Sequence, residues 1–139
     1  MTSLKQWLVI TVFSALACSA MNAQTVNLKA NIPFDFQVGN KLMPAGPYEV
    51  RGEGKVLTVR PATPVNAEQP LVTVLTLSAV ENKPSNVSRL EFQRYENTYF
   101  LRSIWSRGSA DGCELVPDAR AKELAKRNKP FLTIIKAAS

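Results

Sequence analysis

Carboxylate side chains are the groups in this sequence whose chemistry most readily supports catalysis. A pair of Asp or Glu side chains can divide the acid and base roles of glycoside hydrolysis. The candidates in this chain fall mostly at outward strand positions or in turns, where a solvated charge is the ordinary state of a carboxylate. The sequence therefore predicts no catalytic residue, and a small carboxylate-based hydrolase is kept as an alternative. The candidates by residue type are Asp35, Glu49, Glu91, Glu96, Asp111 and Glu114.

Histidine is absent from the chain, and its absence removes several common kinds of site. A Ser-His or Cys-His nucleophile pair needs an imidazole, and an ordinary zinc site uses histidine or several cysteines. No phosphate-binding loop of the GxGxxG or GxxxxGK type occurs in the sequence. The sequence thus predicts no cofactor and no metal site, and we expect a protein that is not an enzyme.

One short cluster, Asp111-Gly112-Cys113-Glu114, combines a thiol with two carboxylates at the end of a predicted loop from Arg107 to Gly112. On a loop these groups can bind a soft cation. Such a cysteine is more often a tolerated small residue or the partner of an intermolecular disulfide, because the other cysteine, Cys18, lies in an N-terminal segment that we expect to be removed and an internal disulfide needs a pair. We favour this second interpretation.

Positive charge is concentrated near the C-terminus. In a predicted helix from Asp118 to Arg127, the side chains of Lys122, Lys126 and Lys129 share one side. Such a surface can contact anionic lipid or an anionic polymer, and the alternative is a solvated helix face whose cations lie favourably at its C-terminal end. The residues predicted for polyanion contact are Arg120, Lys122, Lys126, Arg127 and Lys129.

The charge of the whole chain agrees in sign with this segment. Seventeen Lys and Arg residues against 11 Asp and Glu residues produce a formal net charge of +6. A moderate positive charge favours contact with polyanions. Anionic envelope polymer or lipid is the partner that we expect, and we expect no nucleic acid.

Residues 1–23 have the composition of a secretory signal peptide. A basic start precedes the apolar run WLVITVFSALA, which is followed by small residues. This run is shorter than the roughly 20 apolar residues that a membrane-spanning helix needs. We expect cleavage after Ala23, with Ala20 as the alternative. The mature chain is then a single β-rich domain of residues 24–139, exported to the periplasm or beyond the cell, without a transmembrane segment.

Cys18 suggests a second route of export. The tetrapeptide that ends at Cys18, ALAC, resembles a loose bacterial lipobox, in which the cysteine is lipidated and becomes the first residue. Ala15 occupies the position where the lipobox usually has leucine. The sequence therefore leaves two alternatives, an envelope protein that is lipid-anchored through Cys18 and a cysteine in a segment that is removed.

Alternation of apolar and polar residues dominates the remainder of the chain. Residues Val26 to Ile32 alternate with period two, which is typical of a half-buried strand. The segment from Leu71 to Val80 is apolar on both faces, which predicts a strand that is covered on both sides. Turns rich in Gly and Pro separate these segments. The pattern predicts a mainly β fold, a single antiparallel β-sandwich or barrel of about eight strands with a short C-terminal helix.

One hairpin can be worked out in register. Strands Ser88–Tyr95 and Thr98–Trp105 flank a turn at Glu96-Asn97, and an even-length turn keeps the apolar residues of both strands on one face. The core face then holds Leu90, Phe92, Tyr99, Leu101 and Trp105, while Tyr95 and Phe100 face outward. The predicted pairs are Arg94 with Tyr99, Phe92 with Leu101, Leu90 with Ser103, and Glu91 opposite Arg102.

The same register bears on a sugar-binding interpretation. Tyr95, Tyr99 and Trp105 are aromatic residues of the kind on which a sugar ring stacks. Two of the three belong to the predicted core face, so we favour a role in the core for them.

The segment IPFDFQVGN followed by PAGPYEV resembles the N-terminal signature of a group of small, uncharacterised exported bacterial β-proteins. The later segment RYENTYFLRSIW and the basic C-terminal region are also similar to that group, and the likeness covers most of residues 26–127. Met43 and Pro47 depart from the pattern, where leucine and a polar residue are usual. The resemblance implies export and β structure and transfers no functional residue. We interpret the glycines and prolines of this segment as turns, with Phe34, Phe36, Tyr48 and Val50 in the core.

Overall fold

The computed structural model describes residues 25–63 and 71–138. Within these ranges the chain is mainly β, with ten strands and one short helix near the C-terminus, α1, at Ala119–Arg127. The strands are β1 Thr25–Ile32, β2 Phe36–Val38, β3 Lys41–Met43, β4 Gly46–Glu53, β5 Val56–Pro61, β6 Val72–Val80, β7 Ser88–Tyr95, β8 Thr98–Trp105, β9 Asp111–Leu115 and β10 Phe131–Ala137. The predicted signal peptide and Cys18 lie outside the described residues.

The strands form one open, mixed sheet in the order β1-β4-β5-β6-β9-β8-β2-β3, and β8 also pairs with β7, which pairs with β10. All of these pairings are antiparallel except a single parallel pair, Gln37 with Phe100, which joins β2 to β8. A backbone bridge outside these strand pairs links β1 to the residue that follows β10. In it, Lys29 and Ala138 each donate an N–H to the carbonyl oxygen of the other, at 2.7 and 2.8 Å.

Alternation along the strands produces one buried face. In β1 the side chains of Leu28, Ala30 and Ile32 are buried, and the residues between them are exposed. Since successive side chains of a strand point to opposite faces, the period-two pattern of the sequence is enough to select the buried set. The prediction of a half-buried strand at this position is confirmed.

Aromatic side chains fill the centre of the core. Phe36 and Phe92 are fully buried, with ring centroids 5.5 Å apart in an edge-to-face arrangement. The half-buried ring of Phe34 lies 5.1 Å from Phe92 and stacks on Tyr99 at 3.8 Å. Tyr48 packs edge-on against Phe36 at 5.0 Å. Edge-to-face and stacked pairs of this kind stabilise a core beyond the area that they bury.

β6 differs from its predicted environment. Its inward residues Val72 and Thr76 are buried, but the outward residues Leu75 and Leu77 are 70% and 60% exposed, and Val80 at the end of the strand is 74% exposed. The prediction that this strand is covered on both sides is therefore wrong. In the described part of the chain no second layer covers the outward face of β6. The apolar residues of this strand therefore reflect its β propensity and do not indicate burial.

A bulge interrupts the β7–β8 hairpin. Arg94 pairs with Tyr99 and Phe92 with Leu101, as predicted. The register shifts between Phe92 and Glu91, so Glu91 pairs with Ser103 and not with Arg102 as predicted. The predicted pair of Leu90 with Ser103 is wrong, because Leu90 pairs with Ile104. The extra residue on β8 is Arg102. A bulge of this type redirects the side chains that follow it to the other face.

Helix α1 lies on the outer face of β7 and β8. Its N-cap is Asp118, whose carboxylate accepts a hydrogen bond of 2.8 Å from the backbone N–H of Ala121, in the manner that stabilises a first helical turn. Ala121 and Leu124 pack against Tyr95 and Phe100. No helix in residues 25–63 and 71–138 combines the length and the hydropathy that crossing a membrane requires.

Candidate functional site

The cations predicted for polyanion contact lie together on α1 and on the residues just after it, and we call residues 120–129 the basic segment. The apolar face of the helix points to the sheet, so Lys122 and Lys126, four residues apart, share the opposite side. Every one of the predicted cations is exposed, namely Arg120, Lys122, Lys126, Arg127 and Lys129.

One carboxylate opposes this charge within the helix. Glu123 lies 3.8 Å from the ammonium of Lys126 and 3.4 Å from the guanidinium of Arg127. These side chains are 56–75% exposed, so water and salt screen both ion pairs strongly. Among the described residues no ion pair involves the remaining cations of the segment, and it keeps an excess of positive charge.

Exposed apolar side chains follow the basic segment directly. In β10 the side chains of Phe131, Leu132 and Ile134 are 70%, 54% and 51% exposed. Pairing of Leu132 with Gln93 and of Ile134 with Glu91 places Leu132 and Ile134 on the outer face of the sheet, the face that carries α1. The sequence does not predict this exposure, because a short apolar segment does not reveal which of its faces is covered.

The carboxylates considered for catalysis do not gather in one cleft. Asp35 accepts a hydrogen bond from the backbone N–H of Ala45 at 2.9 Å, in a turn. Glu49 pairs with Arg60 at 2.9 Å, and Glu114 lies 3.5 Å from Arg102. The hydrogen bond from Arg60 lowers the pKa of Glu49 from its ordinary value, whereas a general acid needs a raised pKa.

A polar cluster that sequence reasoning missed surrounds Arg89 on the outer face of β7. Its guanidinium donates to Glu91 at 3.0 Å, to the hydroxyl of Ser85 at 2.6 Å and to Glu81. Ser103 donates to the other oxygen of Glu91 at 2.9 Å. One cation thus neutralises two carboxylates, and the loop that carries Glu81 and Ser85 is attached to the sheet.

Trp105 belongs to this outer cluster rather than to the core. The bulge moves it to the face of Arg89, whose guanidinium carbon lies 5.1 Å from the centre of the indole. The indole N–H donates to Ser103 at 3.2 Å, and the residue is only 6% exposed. The ring covers Gly112, where an added methyl group would lie 2.6 Å from Trp105 Cε3. The prediction of Trp105 on the core face is wrong, although the residue is buried.

The other aromatic predictions have mixed outcomes. Tyr99 is half-buried and packs against the core, as predicted. Tyr95 and Phe100 do face outward, yet they are 3% and 6% exposed because α1 covers them. No aromatic ring of this hairpin is left as an open platform for a sugar.

The cluster around Cys113 is divided by strand geometry. The residues belong to β9 and not to a loop, so Cys113 turns toward the core while Glu114 turns outward. Within the described residues no three His, Cys, Asp or Glu side chains are placed to hold a metal ion. The thiol of Cys113 and the carboxylate of Glu114 therefore lie on opposite faces of the sheet.

Burial raises the pKa of the Cys113 thiol, and a weaker hydrogen bond with Thr76 acts in the opposite direction. The thiolate is the reactive species, so we expect alkylation of Cys113 at neutral pH to be at least about 10-fold slower in the folded protein than in guanidinium. Iodoacetamide labelling followed by mass spectrometry of the Cys113 peptide measures this rate separately from that of Cys18. Equal rates in the two conditions would contradict the burial of the thiol.

A small cavity opens beside the N-terminal end of α1. Its volume is about 90 Å³. Phe100 and Ala121 line it with apolar side chains of the outer face, and the residues that join β9 to α1 form its rim. Its polar lining comes from four strands and from the N-cap of α1, and it consists of Gln37, Gln93, Arg102, Glu114 and Asp118.

Comparison with protein-family models, with curated protein sequences and with solved structures finds no match to this chain.

Proposed function

We propose that this chain is an exported, non-catalytic envelope protein that binds or scaffolds, and that its basic segment contacts an anionic surface. The observation that carries the proposal is the exposure of every cation of that segment, four of them on a helix whose apolar side already packs against the sheet and Lys129 just after it. A helix attached in this way presents its charge without having to fold on contact, so little conformational entropy is lost on binding.

The exposed side chains of β10 support a lipid surface as the partner. Leu132 and Ile134 lie on the same outer face as α1, and Lys129 precedes the strand. Cations that flank apolar side chains are the combination that binds an anionic bilayer interface. An anionic surface polymer shares the electrostatic part of this recognition but not the apolar part, so the two partners can be separated by experiment.

The scaffold part of the proposal is a closed barrel formed by the single β-rich domain. The hydrogen-bonded bridge of Lys29 with Ala138 supports closure, because it joins β1 to the chain immediately after β10. Closure removes free strand edges, which otherwise recruit other chains. A filled aromatic core and dispersed carboxylates favour the scaffold hypothesis over the hydrolase alternative.

Lipid binding can be measured by cosedimentation with vesicles of phosphatidylcholine and anionic phosphatidylglycerol. Each lysine near an anionic surface contributes about 1 kcal/mol, so the triple variant Lys122→Gln, Lys126→Gln, Lys129→Gln is expected to partition about 100-fold more weakly at low salt. Higher salt should reduce the difference by screening. A parallel column of anionic polymer distinguishes a polymer from a lipid partner.

The matched control is Lys41→Gln, Lys55→Gln, Lys83→Gln, which removes the same charge at exposed positions elsewhere. This control should lose much less binding than the triple variant of the basic segment. Equal losses of binding in the two triple variants would show a general charge effect. Unchanged partition of the Lys122, Lys126 and Lys129 variant would refute the proposed contact.

A further inference from the structure

We propose that the cavity beside α1 binds a vicinal diol, such as the edge of a sugar ring at the end of a glycan. This site is separate from the basic segment, since all of its polar groups except Asp118 come from the sheet. The inference rests on the way in which two glutamines and one arginine converge on the cavity.

Gln37 is the central residue of the argument. Only 7% of its surface is exposed, and it lines the cavity. Among the described residues its side-chain amide has no hydrogen-bond partner, and no fully buried side-chain polar atom is left unsatisfied there. The amide therefore reaches accessible space at the cavity, where its N–H and C=O are free for a ligand.

The sheet aligns a second amide with the first. Gln37 and Gln93 are both paired with Phe100, on opposite sides of it, so the three side chains share the outer face in one row. The two Cα atoms are separated by two strand spacings, which amounts to about 10 Å. The hydroxyl of Tyr95 donates to the side-chain oxygen Oε1 of Gln93 at 3.2 Å. The two N–H groups of the same side-chain amide are then left to donate elsewhere.

The bulge supplies the cation. Arg102 is the extra residue of β8 and lines the cavity, and its guanidinium lies 3.5 Å from the carboxylate of Glu114. Bulges near sites commonly direct a side chain in this way. The residue is 43% exposed on its side chain, so it keeps donors available beyond the ion pair.

Charge and volume select the ligand class. Glu114 and Asp118 contribute two carboxylates against the one guanidinium of Arg102, so an anion is repelled, and the guanidinium disfavours a cation. A neutral group that both donates and accepts hydrogen bonds satisfies amide, guanidinium and carboxylate together. A dry cavity of about 150 Å³ holds benzene, so this one accommodates about four non-hydrogen atoms. The O–C–C–O unit of a diol has this size, and the ring of Phe100 offers an apolar surface to its carbon atoms.

The test is titration of the full-length protein with methyl glucopyranoside and with cis-1,2-cyclohexanediol, observed in ¹H–¹⁵N NMR spectra. We expect saturable shifts of the side-chain amides of Gln37 and Gln93 and of the backbone amide of Ala121, with dissociation constants of about 1–10 mM for so small a contact. Cyclohexanol, which lacks the second hydroxyl, should shift these signals at least about 10-fold more weakly.

Two variants separate recognition from folding. Gln37→Met keeps the volume and removes the amide, and it should weaken diol binding about 10-fold. Arg102→Met changes an exposed side chain, so the fold should persist while binding weakens by a similar factor. The control Asn40→Met alters an exposed turn residue outside the cavity and should bind like the unaltered protein.

Three results would overturn the proposal. Shifts that are absent at 100 mM diol would show that water alone fills the cavity. Unchanged binding in Arg102→Met would exclude recognition at this position. Inorganic phosphate that shifts these signals more strongly than the diol would identify an anion site at the helix N-terminus instead.

Discussion

Replacement of Phe92 by alanine is expected to lower the free energy of unfolding by about 3–5 kcal/mol. Phe92 is fully buried and contacts the rings of both Phe34 and Phe36 edge-on. The substitution removes the transfer free energy of the ring and two aromatic contacts, and it leaves a cavity that strands fixed by cross-strand pairing cannot close. Urea denaturation followed by tryptophan fluorescence measures the change, provided that the slope with denaturant stays constant.

Phe131→Ala is the matched control for this experiment. It removes the same side chain from a strand, at a position that is 70% exposed. Surface substitutions away from special features usually alter stability by no more than about 0.5 kcal/mol. A loss for Phe131→Ala as large as that for Phe92→Ala would mean that the core is located wrongly.

The second large effect is expected at Arg89, where methionine should cost about 3 kcal/mol of stability. The Arg89 and Glu91 side chains are each 14% exposed, and the Glu81 side chain is 32% exposed. Removal of the guanidinium leaves two carboxylates without their cation, and such unpaired buried charge accounts for most of the loss. Methionine keeps most of the contact with Trp105. The loss of stability therefore comes from the unpaired carboxylates rather than from lost packing. The measurement is again denaturant unfolding at neutral pH.

Two further variants make the Arg89 result specific. Arg89→Lys keeps the charge but cannot reach several acceptors with a planar fork, so its stability should fall between those of methionine and arginine at this position. Arg102→Met removes the exposed pair with Glu114 and should cost less than about 1 kcal/mol. A loss at Arg102 equal to that at Arg89 would show that the buried cluster has no special contribution.

Local pattern was sufficient for much of the fold. Alternation selected the buried residues of β1, and the turn at Glu96-Asn97 set the bounds of β7 and β8. The helix predicted from Asp118 to Arg127 forms at Ala119–Arg127, with Asp118 as its N-cap. Each of these features depends on residues within about ten positions of one another, and backbone sterics and hydrogen bonding act over that distance.

The candidate sites depend on contacts between distant segments. Arg102 enters the cavity through a bulge, which is an accommodation between two strands and leaves no mark in the period-two pattern. Phe100 is buried because α1, about twenty residues later, packs on it, and Trp105 is buried because Gly112 makes room for its ring. Position along a strand specifies the face of a side chain but not what covers that face.

The sequence by itself determined the β architecture, the capped basic helix and the identity of the central aromatic core, since period, turn chemistry and capping are local properties. Tertiary structure alone decided that the outward residues of β7 and β8 are covered, that the outward residues of β6 and β10 are not, and that Gln37 and Gln93 flank Phe100 on its two sides. The physical reason is that burial of a face is a property of two packed elements, and the chain specifies that pairing only through the free energy of the whole fold.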